Sequence, residues 1–256
     1  MKFDSQLKAI VSGGVSGLGG AVAEKVIAAG GQVAMLDISD DKGAAMLAKL
    51  GSRARYIRCN VASEQEVTDA VSQAKAAFGG LNLAVACAGI LGAGRVLGRE
   101  GPMPSEQFAK VITVNVVGTF NLCKAAAAAM QDNPPNPDGE RGVLVNTASV
   151  AAFEGQIGQA AYSASKGAVV GMMLPMAREF ARIGIRVMTI APGIFWTPMM
   201  EGMPEEVQKS LGAQVPFPSR LGKPHEYADL VASICENAML NGETIRLDGA
   251  IRMQPK

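Results

Sequence analysis

The sequence places a tyrosine and a lysine, Tyr162 and Lys166, four residues apart, with Ser149 thirteen residues before the tyrosine. Residues four apart share a face of an α-helix, so the lysine ammonium is expected beside the tyrosine hydroxyl. Its positive charge would favour the phenolate and lower the pKa of the tyrosine from its ordinary value of about 10. Such a tyrosine can exchange a proton with an alcohol or a carbonyl, and the Ser149 hydroxyl can hydrogen-bond the same oxygen. The three residues therefore predict proton transfer at a secondary alcohol or ketone.

A fourth polar residue, Asn115, lies in an apolar helical stretch. A buried amide requires hydrogen-bond partners, and we predict that Asn115 holds a water next to Lys166 for proton exchange. Taken singly, these residues have ordinary explanations, because a Tyr-x-x-x-Lys spacing arises by chance and serines often follow strands. The hypothesis depends on the whole catalytic set, Asn115, Ser149, Tyr162 and Lys166, occurring together with a glycine-rich turn.

That turn runs from Ser12 to Gly19 with the glycine spacing Gly-x-x-x-Gly-x-Gly. The spacing alone is a weak signal, but the turn follows a predicted strand and opens a predicted helix. The first N–H groups of such a helix can hold a pyrophosphate. We therefore predict a nicotinamide dinucleotide as the cofactor and hydride transfer as the reaction.

Asp37 indicates which dinucleotide is bound. It ends the second predicted strand, 24 residues after Gly13. A carboxylate at this place accepts hydrogen bonds from the ribose hydroxyls and repels a 2′-phosphate. The neighbouring Val15, Ile38 and Ser39 place no lysine or arginine beside it, so the sequence favours NAD over NADP.

Short apolar runs alternate with helical patterns along the chain. Strands are predicted at residues 7–12, 32–37, 55–59, 83–87, 142–146, 185–191 and 243–247. Helices are predicted at residues 17–29, 40–50, 64–78, 105–130 with a break near Thr113, 159–181 and 225–236, and loops at 91–104 and 132–141. This alternation predicts an α/β fold with a doubly wound (Rossmann) seven-stranded parallel sheet and helices on both faces. No composition shift divides the chain, so residues 1–256 are predicted to form a single NAD-binding and catalytic domain.

The composition argues against several other classes of protein. With a net charge of +1 and one histidine, His225, the chain lacks a strongly basic balance and the ligands of a His-rich zinc site. We predict neither a metal nor a nucleic-acid partner. The four cysteines form no C-x-x-C pair and the N-terminus shows no secretory signal, so we expect a cytoplasmic protein. The longest uncharged run, residues 76–94, is interrupted by Gly79-Gly80 and Asn82 and is not expected to cross a membrane.

These motifs are similar to the signature of the short-chain dehydrogenase/reductase family, which the chain resembles from about Lys8 to its end. Longer phrases, at residues 149–156, 188–193, 215–220 and 247–253, resemble the branch of type 2 3-hydroxyacyl-CoA dehydrogenases. The resemblance implies NAD-dependent interconversion of (S)-3-hydroxyacyl-CoA and 3-oxoacyl-CoA, with an acyl-CoA as substrate. It also implies a homotetramer, in which the helix containing residues 125–129, the helix of Tyr162 and the C-terminal segment form the interfaces.

The resemblance also implies roles for individual residues. The cofactor contacts would be Ser12, Gly13, Ser16, Gly17, Leu18 and Gly19 at the pyrophosphate, Asp37 at the ribose, Asn60 and Val61 at adenine, Ala88 and Gly89 along the cofactor, Tyr162 and Lys166 at the nicotinamide ribose, and Pro192, Gly193, Ile194 and Thr197 at the carboxamide. The substrate contacts would be Gln156, Gln159, Trp196 and Met199, the last with Met200 and Met203 in an apolar lid.

Three positions depart from the family pattern. Asn60 stands where aspartate is usual, although its amide oxygen can still accept from the adenine amino group. Ala86 replaces an asparagine that braces the sheet. Trp196 stands where a small residue is expected, and an indole turned inward would restrict the substrate pocket. A dehydrogenase of another secondary alcohol, steroid or aryl, is therefore an open alternative. A catalytically silent NAD-binding scaffold subunit is an alternative of a different class, against which the intact catalytic set argues.

Overall fold

The computed structural model describes residues 1–99, 101–197 and 205–255, without the side chains of Val207 and Gln208. Its strands are β1 (Lys8–Ser12), β2 (Gln32–Asp37), β3 (Ala54–Arg58), β4 (Leu83–Ala86), β5 (Leu97–Gly98), β6 (Gly101–Pro102), β7 (Gly142–Thr147), β8 (Ile185–Pro192) and β9 (Thr244–Leu247). Seven of them form a parallel sheet in the order β3-β2-β1-β4-β7-β8-β9. The strand order reverses between β1 and β4, and ligands of such sheets bind at the carboxyl ends of the strands at that point.

The helices are α1 (Gly17–Ala28), α2 (Asp40–Leu50), α3 (Glu64–Phe78), α4 (Ser105–Ile112), α5 (Gly118–Met130), α6 (Ala160–Phe180), α7 (Glu205–Ala213) and α8 (Pro224–Glu236). Two buried apolar clusters cover the two faces of the sheet. One contains side chains of α3, α5 and α6, and the other contains side chains of α1 and α8. Residues that alternate along β1 divide between them, with Ile10 in the first cluster and Ala9 and Val11 in the second. The predicted doubly wound fold is therefore confirmed.

The break predicted near Thr113 is a change of helix type. Residues Thr113–Val117 form a π-helical segment that joins α4 to α5 without interruption. Residues Ser105–Met130 thus make one helix that is long and apolar enough to span a membrane, but half of its most apolar window is buried inside the fold. Length and apolar composition alone are therefore weak evidence for a membrane span.

The prediction for residues 91–104 is wrong in part, because this stretch is more than a loop. It contains β5 and β6, which pair antiparallel as a small hairpin outside the main sheet, with Leu97 opposite Pro102. Two-residue strands carry too few residues for an alternating pattern to be visible in the sequence. The hairpin lies between β4 and α4 in the chain.

Candidate active site

The proposed acid/base pair lies near the start of α6. Lys166 Nζ lies 5.7 Å from the centroid of the Tyr162 ring, so the two residues share a helix face as predicted. Ser149 lies two residues after β7 and caps a short helical turn, in which its Oγ accepts a hydrogen bond from the Ala151 N–H at 3.1 Å. The Ser149 side chain also reaches the Tyr162 hydroxyl. The structure therefore brings Ser149, Tyr162 and Lys166 together at the carboxyl end of β7.

The protonation states differ from the prediction made for Tyr162. Burial raises the pKa of Tyr162, and the hydrogen bond with Ser149 only partly offsets this increase. Burial also lowers the pKa of Lys166 to about 8. The expectation that Lys166 lowers the tyrosine pKa is thus wrong for the chain alone, because desolvation pushes both groups toward their neutral forms. The Lys166 ammonium retains one acceptor, since Nζ donates to the Thr147 carbonyl at 2.8 Å.

Asn115 is fully buried in the π-helical segment. Its Oδ1 accepts from the Ile90 N–H at 2.8 Å, while Nδ2 donates to the Ile90 carbonyl at 2.9 Å and to Ser165 Oγ at 2.9 Å. Both amide hydrogens are therefore engaged, and Asn115 ties the segment after β4 to α6. Its Oδ1 also faces Gly89, where an added Cβ would lie 3.1 Å from it and 3.7 Å from Lys166 Nζ. The water-holding role of Asn115 stays a prediction.

The glycine-rich turn packs its backbone against the segment that follows β4. Gly13 has φ +63°, and an added Cβ would lie 2.9 Å from the Ala88 nitrogen. An added Cβ at Gly19 would collide with the Gly13 carbonyl. Ser12 Oγ accepts from the Ala88 N–H at 3.2 Å. Side chains at Gly13 and Gly19 would therefore collide with the protein's own backbone, so this compact turn requires glycine at both positions. Ser16 is the N-cap of α1, and Gly17 and Leu18 lie in its first turn, so the N-terminus of the helix and the bare backbone beside it can accept a pyrophosphate.

Asp37 ends β2, and its Oδ1 accepts from the N–H groups of Ile38 and Ser39 at 2.8 and 3.1 Å. The adjacent strand contributes a cation that the sequence argument missed, because Arg58 of β3 lies opposite Asp37 in the register. This cation is already engaged. The Arg58 guanidinium donates to Asp40 Oδ2 at 2.9 Å and to the Ile38 carbonyl at 3.1 Å.

The predicted adenine contacts follow β3. Val61 is buried, while Asn60 is exposed and its Oδ1 accepts from the Ala62 N–H at 3.1 Å. This amide oxygen thus already takes part in a local turn.

The predicted carboxamide segment follows β8. Pro192 ends that strand, and the Gly193 N–H donates to the Leu247 carbonyl at 2.9 Å. Ile194 and Trp196 form reciprocal backbone hydrogen bonds with Gly222, at 2.9 and 2.7 Å. These bonds hold the segment as far as Trp196, and both Trp196 and Thr197 are half-buried. Met199, Met200 and Met203, the predicted lid, lie outside the described residues.

Gln156 and Gln159 lie in the loop between Ser149 and α6. The Gln156 N–H donates to Gln159 Oε1 at 3.0 Å, and Gln156 Nε2 donates to the Gln254 carbonyl at 3.0 Å. Both glutamines line a cavity of about 430 Å³ whose lining includes neither Ser149 nor Tyr162. Their contact with a substrate stays a prediction.

A doubly wound sheet whose carboxyl edge combines a glycine cradle with a Ser/Tyr/Lys constellation defines a dinucleotide-dependent dehydrogenase. The comparisons with known proteins give the family. The model of the family described as "short chain dehydrogenase" matches residues 8–208. The chain therefore belongs to the short-chain dehydrogenase family, and it is an oxidoreductase that uses a nicotinamide cofactor.

Several relatives share nearly the whole chain. The protein of Homo sapiens named 3-hydroxyacyl-CoA dehydrogenase type-2 is 53% identical over 251 residues, which cover 97% of this chain and 96% of the relative. The protein of the same name from Drosophila melanogaster is 51% identical, over 96% of this chain and 97% of the relative. A crystal structure of 3-hydroxyacyl-CoA dehydrogenase type-2 from Mycobacterium avium superposes with a TM-score of 0.93 at 42% identity and covers both chains completely.

Proposed function

We propose that the chain is an NAD-dependent 3-hydroxyacyl-CoA dehydrogenase, which interconverts (S)-3-hydroxyacyl-CoA and 3-oxoacyl-CoA. The observation that carries the proposal is the convergence of Ser149, Tyr162 and Lys166 beside the glycine cradle. The substrate class is supported by the names of relatives that are more than half identical over almost their full length.

Tyr162, Ser149 and Lys166 each have a separate role in the proton transfer. NAD, when bound, accepts the hydride from the carbinol carbon. Tyr162 Oη takes the hydroxyl proton in oxidation and returns it to the carbonyl oxygen in reduction. Ser149 Oγ is placed to hydrogen-bond the same oxygen, and its interaction with the Tyr162 hydroxyl lowers the pKa of that tyrosine. The Lys166 ammonium, over the ring of Tyr162, stabilises the phenolate that remains after proton release.

NAD, rather than NADP, is the proposed cofactor because of the charges at the end of β2. Asp37 offers a carboxylate where a 2′-phosphate would be placed. The nearby Arg58 does not offset this charge, since its guanidinium is paired with Asp40.

A homotetramer in the cytoplasm is the proposed assembly and location. The assembly is supported by exposed apolar side chains on the helix of Asn115 and on α6, among them Val117, Phe120 and Leu174. The location is supported by four cysteines that are all free thiols. Fractionation of cells that produce the protein would test the location, and an organellar pool would contradict it.

Initial rates with NAD and a panel of (S)-3-hydroxyacyl-CoAs, steroids and aryl alcohols test the substrate proposal. We expect the highest kcat/KM with a 3-hydroxyacyl-CoA, and no turnover above the level of the Tyr162→Phe variant with the (R) enantiomers. A steroid or an aryl alcohol that exceeds every acyl-CoA by tenfold in kcat/KM would show that the acyl-CoA is not the preferred substrate. The family assignment would be unaffected.

A further inference from the structure

Three side chains from different elements meet behind Lys166. Cys87 follows β4, Thr147 ends β7, and Tyr227 lies in the first turn of α8. Thr147 Oγ1 and Tyr227 Oη are 2.7 Å apart, Thr147 Oγ1 donates to Cys87 Sγ at 3.5 Å, and Cys87 Sγ donates to Tyr227 Oη at 3.7 Å. Each group has one hydrogen and can accept one. With Tyr227 donating to Thr147, every member donates once and accepts once in a closed ring.

The ring is a buried unit. Tyr227 is fully buried and Thr147 is 7% exposed. Burial raises the pKa of Tyr227 well above its ordinary value and also raises the pKa of Cys87. The phenol and the thiol therefore keep their hydrogens at neutral pH. Removal of one member breaks two of the three bonds and leaves buried polar groups without partners, which is costly in a low-dielectric interior.

The ring touches the catalytic lysine through one residue. Thr147 takes part in the ring with its hydroxyl, and its carbonyl accepts the hydrogen bond from Lys166 Nζ at 2.8 Å. The titratable groups that face Lys166 are Tyr162 from α6 and Cys87 from the end of β4, with Tyr227 of α8 behind Thr147. The dipole of the Thr147 carbonyl therefore stabilises the charged form of the buried Lys166.

We propose that the ring of Cys87, Thr147 and Tyr227 is a positioning device that holds the Thr147 carbonyl on Lys166 and so keeps this lysine charged at neutral pH. Tyr227 is a positioning residue, since it acts on the lysine through Thr147, and Cys87 supports the same carbonyl while also facing the lysine directly. Tyr227 also makes α8, which packs on the opposite face of the sheet from α6, part of the support of the site. The proposal deepens the proposed function and depends on it only for the activity measurement.

The first test needs neither cofactor nor substrate. The pKa of Lys166, about 8, is below its ordinary value, so the charged lysine destabilises the fold, and this cost is complete below the folded pKa and declines as the pH rises from there toward the ordinary pKa. If Tyr227→Phe loosens the Thr147 carbonyl, the folded pKa falls further and the cost grows only below about pH 8. The Tm deficit of Tyr227→Phe should therefore be largest near pH 6 and at least halve by about pH 9. A deficit that is constant with pH would overturn the proposal.

Matched variants separate the ring from ordinary packing. Thr189→Val removes a buried hydroxyl from the neighbouring strand β8 that has no partner within the described residues, and its Tm difference should not vary with pH. Cys87→Ala breaks the ring, whereas Cys87→Ser keeps a donor and an acceptor. The serine variant should show the smaller pH-dependent deficit, and equal deficits in the two variants would contradict the proposal. These variants also provide the measurement if Tyr227→Phe does not fold.

The second test is the pH dependence of kcat with the substrate identified by the panel. In Tyr227→Phe the loss of activity on the alkaline side should move toward neutral pH by at least about half a unit, because the lysine loses its proton earlier. With a shift of about half a unit, kcat should change by less than about twofold at pH 7, where most of the lysine is still charged, and by about threefold at pH 9, with KM within twofold. A lower Tm with an unshifted profile would assign the ring a structural role alone. If the wild type oxidises nothing in the panel, the proposed function fails, and the cofactor-free measurement still decides on the ring.

Discussion

Burial acts on both members of the catalytic pair, since it raises the pKa of Tyr162 and lowers that of Lys166 to about 8. An ammonium and a phenolate attract each other, but two desolvated neutral groups compete with that pair. Polar neighbours therefore decide which form is populated. The Thr147 carbonyl accepts from the ammonium and the Ser149 hydroxyl stabilises the phenolate, so residues outside the Tyr-x-x-x-Lys motif set its chemistry.

Replacement of Tyr162 tests the acid/base assignment. Tyr162→Phe keeps the aromatic ring beside Lys166 but removes the hydroxyl that carries the proton, so kcat should fall by about 10²–10⁴-fold or more. NAD should still bind, as measured by titration of the quenching of Trp196 fluorescence. Ser163→Ala, on the next residue of α6, should retain the wild-type kcat. A Tyr162→Phe enzyme with a tenth of the wild-type kcat would refute the assignment.

Replacement of Asp40 tests the basis of cofactor choice. The wild type should prefer NAD to NADP by more than about tenfold in kcat/KM, because a 2′-phosphate would face Asp37. Asp40→Asn releases Arg58 from its ion pair, so the use of NADP should rise several-fold while the use of NAD changes little. The double variant Asp40→Asn with Arg58→Gln should lose that gain. Equal use of the two cofactors by the wild type would contradict the role of Asp37.

Most secondary structure elements could be predicted from the sequence. The seven sheet strands lie within one residue of their predicted ends, because parallel strands buried on both faces read as continuous apolar runs between turn signals. The π-helical segment at Thr113–Val117 and the hairpin at residues 97–102 were not predicted. A π segment has the same apolar pattern as an α-helix, so the sequence does not distinguish the two. The hydrogen-bonded ring of Cys87, Thr147 and Tyr227 joins residues that are far apart in the sequence. Contacts of this kind depend on the completed sheet.

Two arginines beside the β5 strand of the small hairpin, Arg95 and Arg99, could bind the phosphates of CoA. Arg95 and Arg99 are exposed on either side of β5, and a guanidinium can bind phosphate in a bidentate manner. Replacement of both by Gln should raise KM for a CoA thioester at least about fivefold. The KM for an alcohol without CoA should not change. Arg182→Gln, at the far end of α6, serves as the control for charge. An equal response of both substrates would assign the hairpin another role.

The surface of the whole molecule exposes apolar groups on the long helix and α6. Phe108, Val117 and Phe120 are 40%, 41% and 46% exposed, and Leu174 is 39% exposed. Isolated apolar residues are common on surfaces, whereas several on adjacent helices are typical of an interface between chains. The small residues of α5 that precede Gln131 would allow close helix packing across such an interface.

Phe120→Arg tests the proposed homotetramer. The substitution places a second positive charge beside Lys124, whose Nζ lies 5.5 Å from the centroid of the Phe120 ring. In an interface, this buried, unpaired charge would be strongly unfavourable. The mass by light scattering should therefore fall from four chains to two or one. Met239→Arg, at a side chain that is 90% exposed beyond α8, should keep the wild-type mass. If the wild type is monomeric, or if Phe120→Arg leaves a tetramer intact, this helix is not the interface.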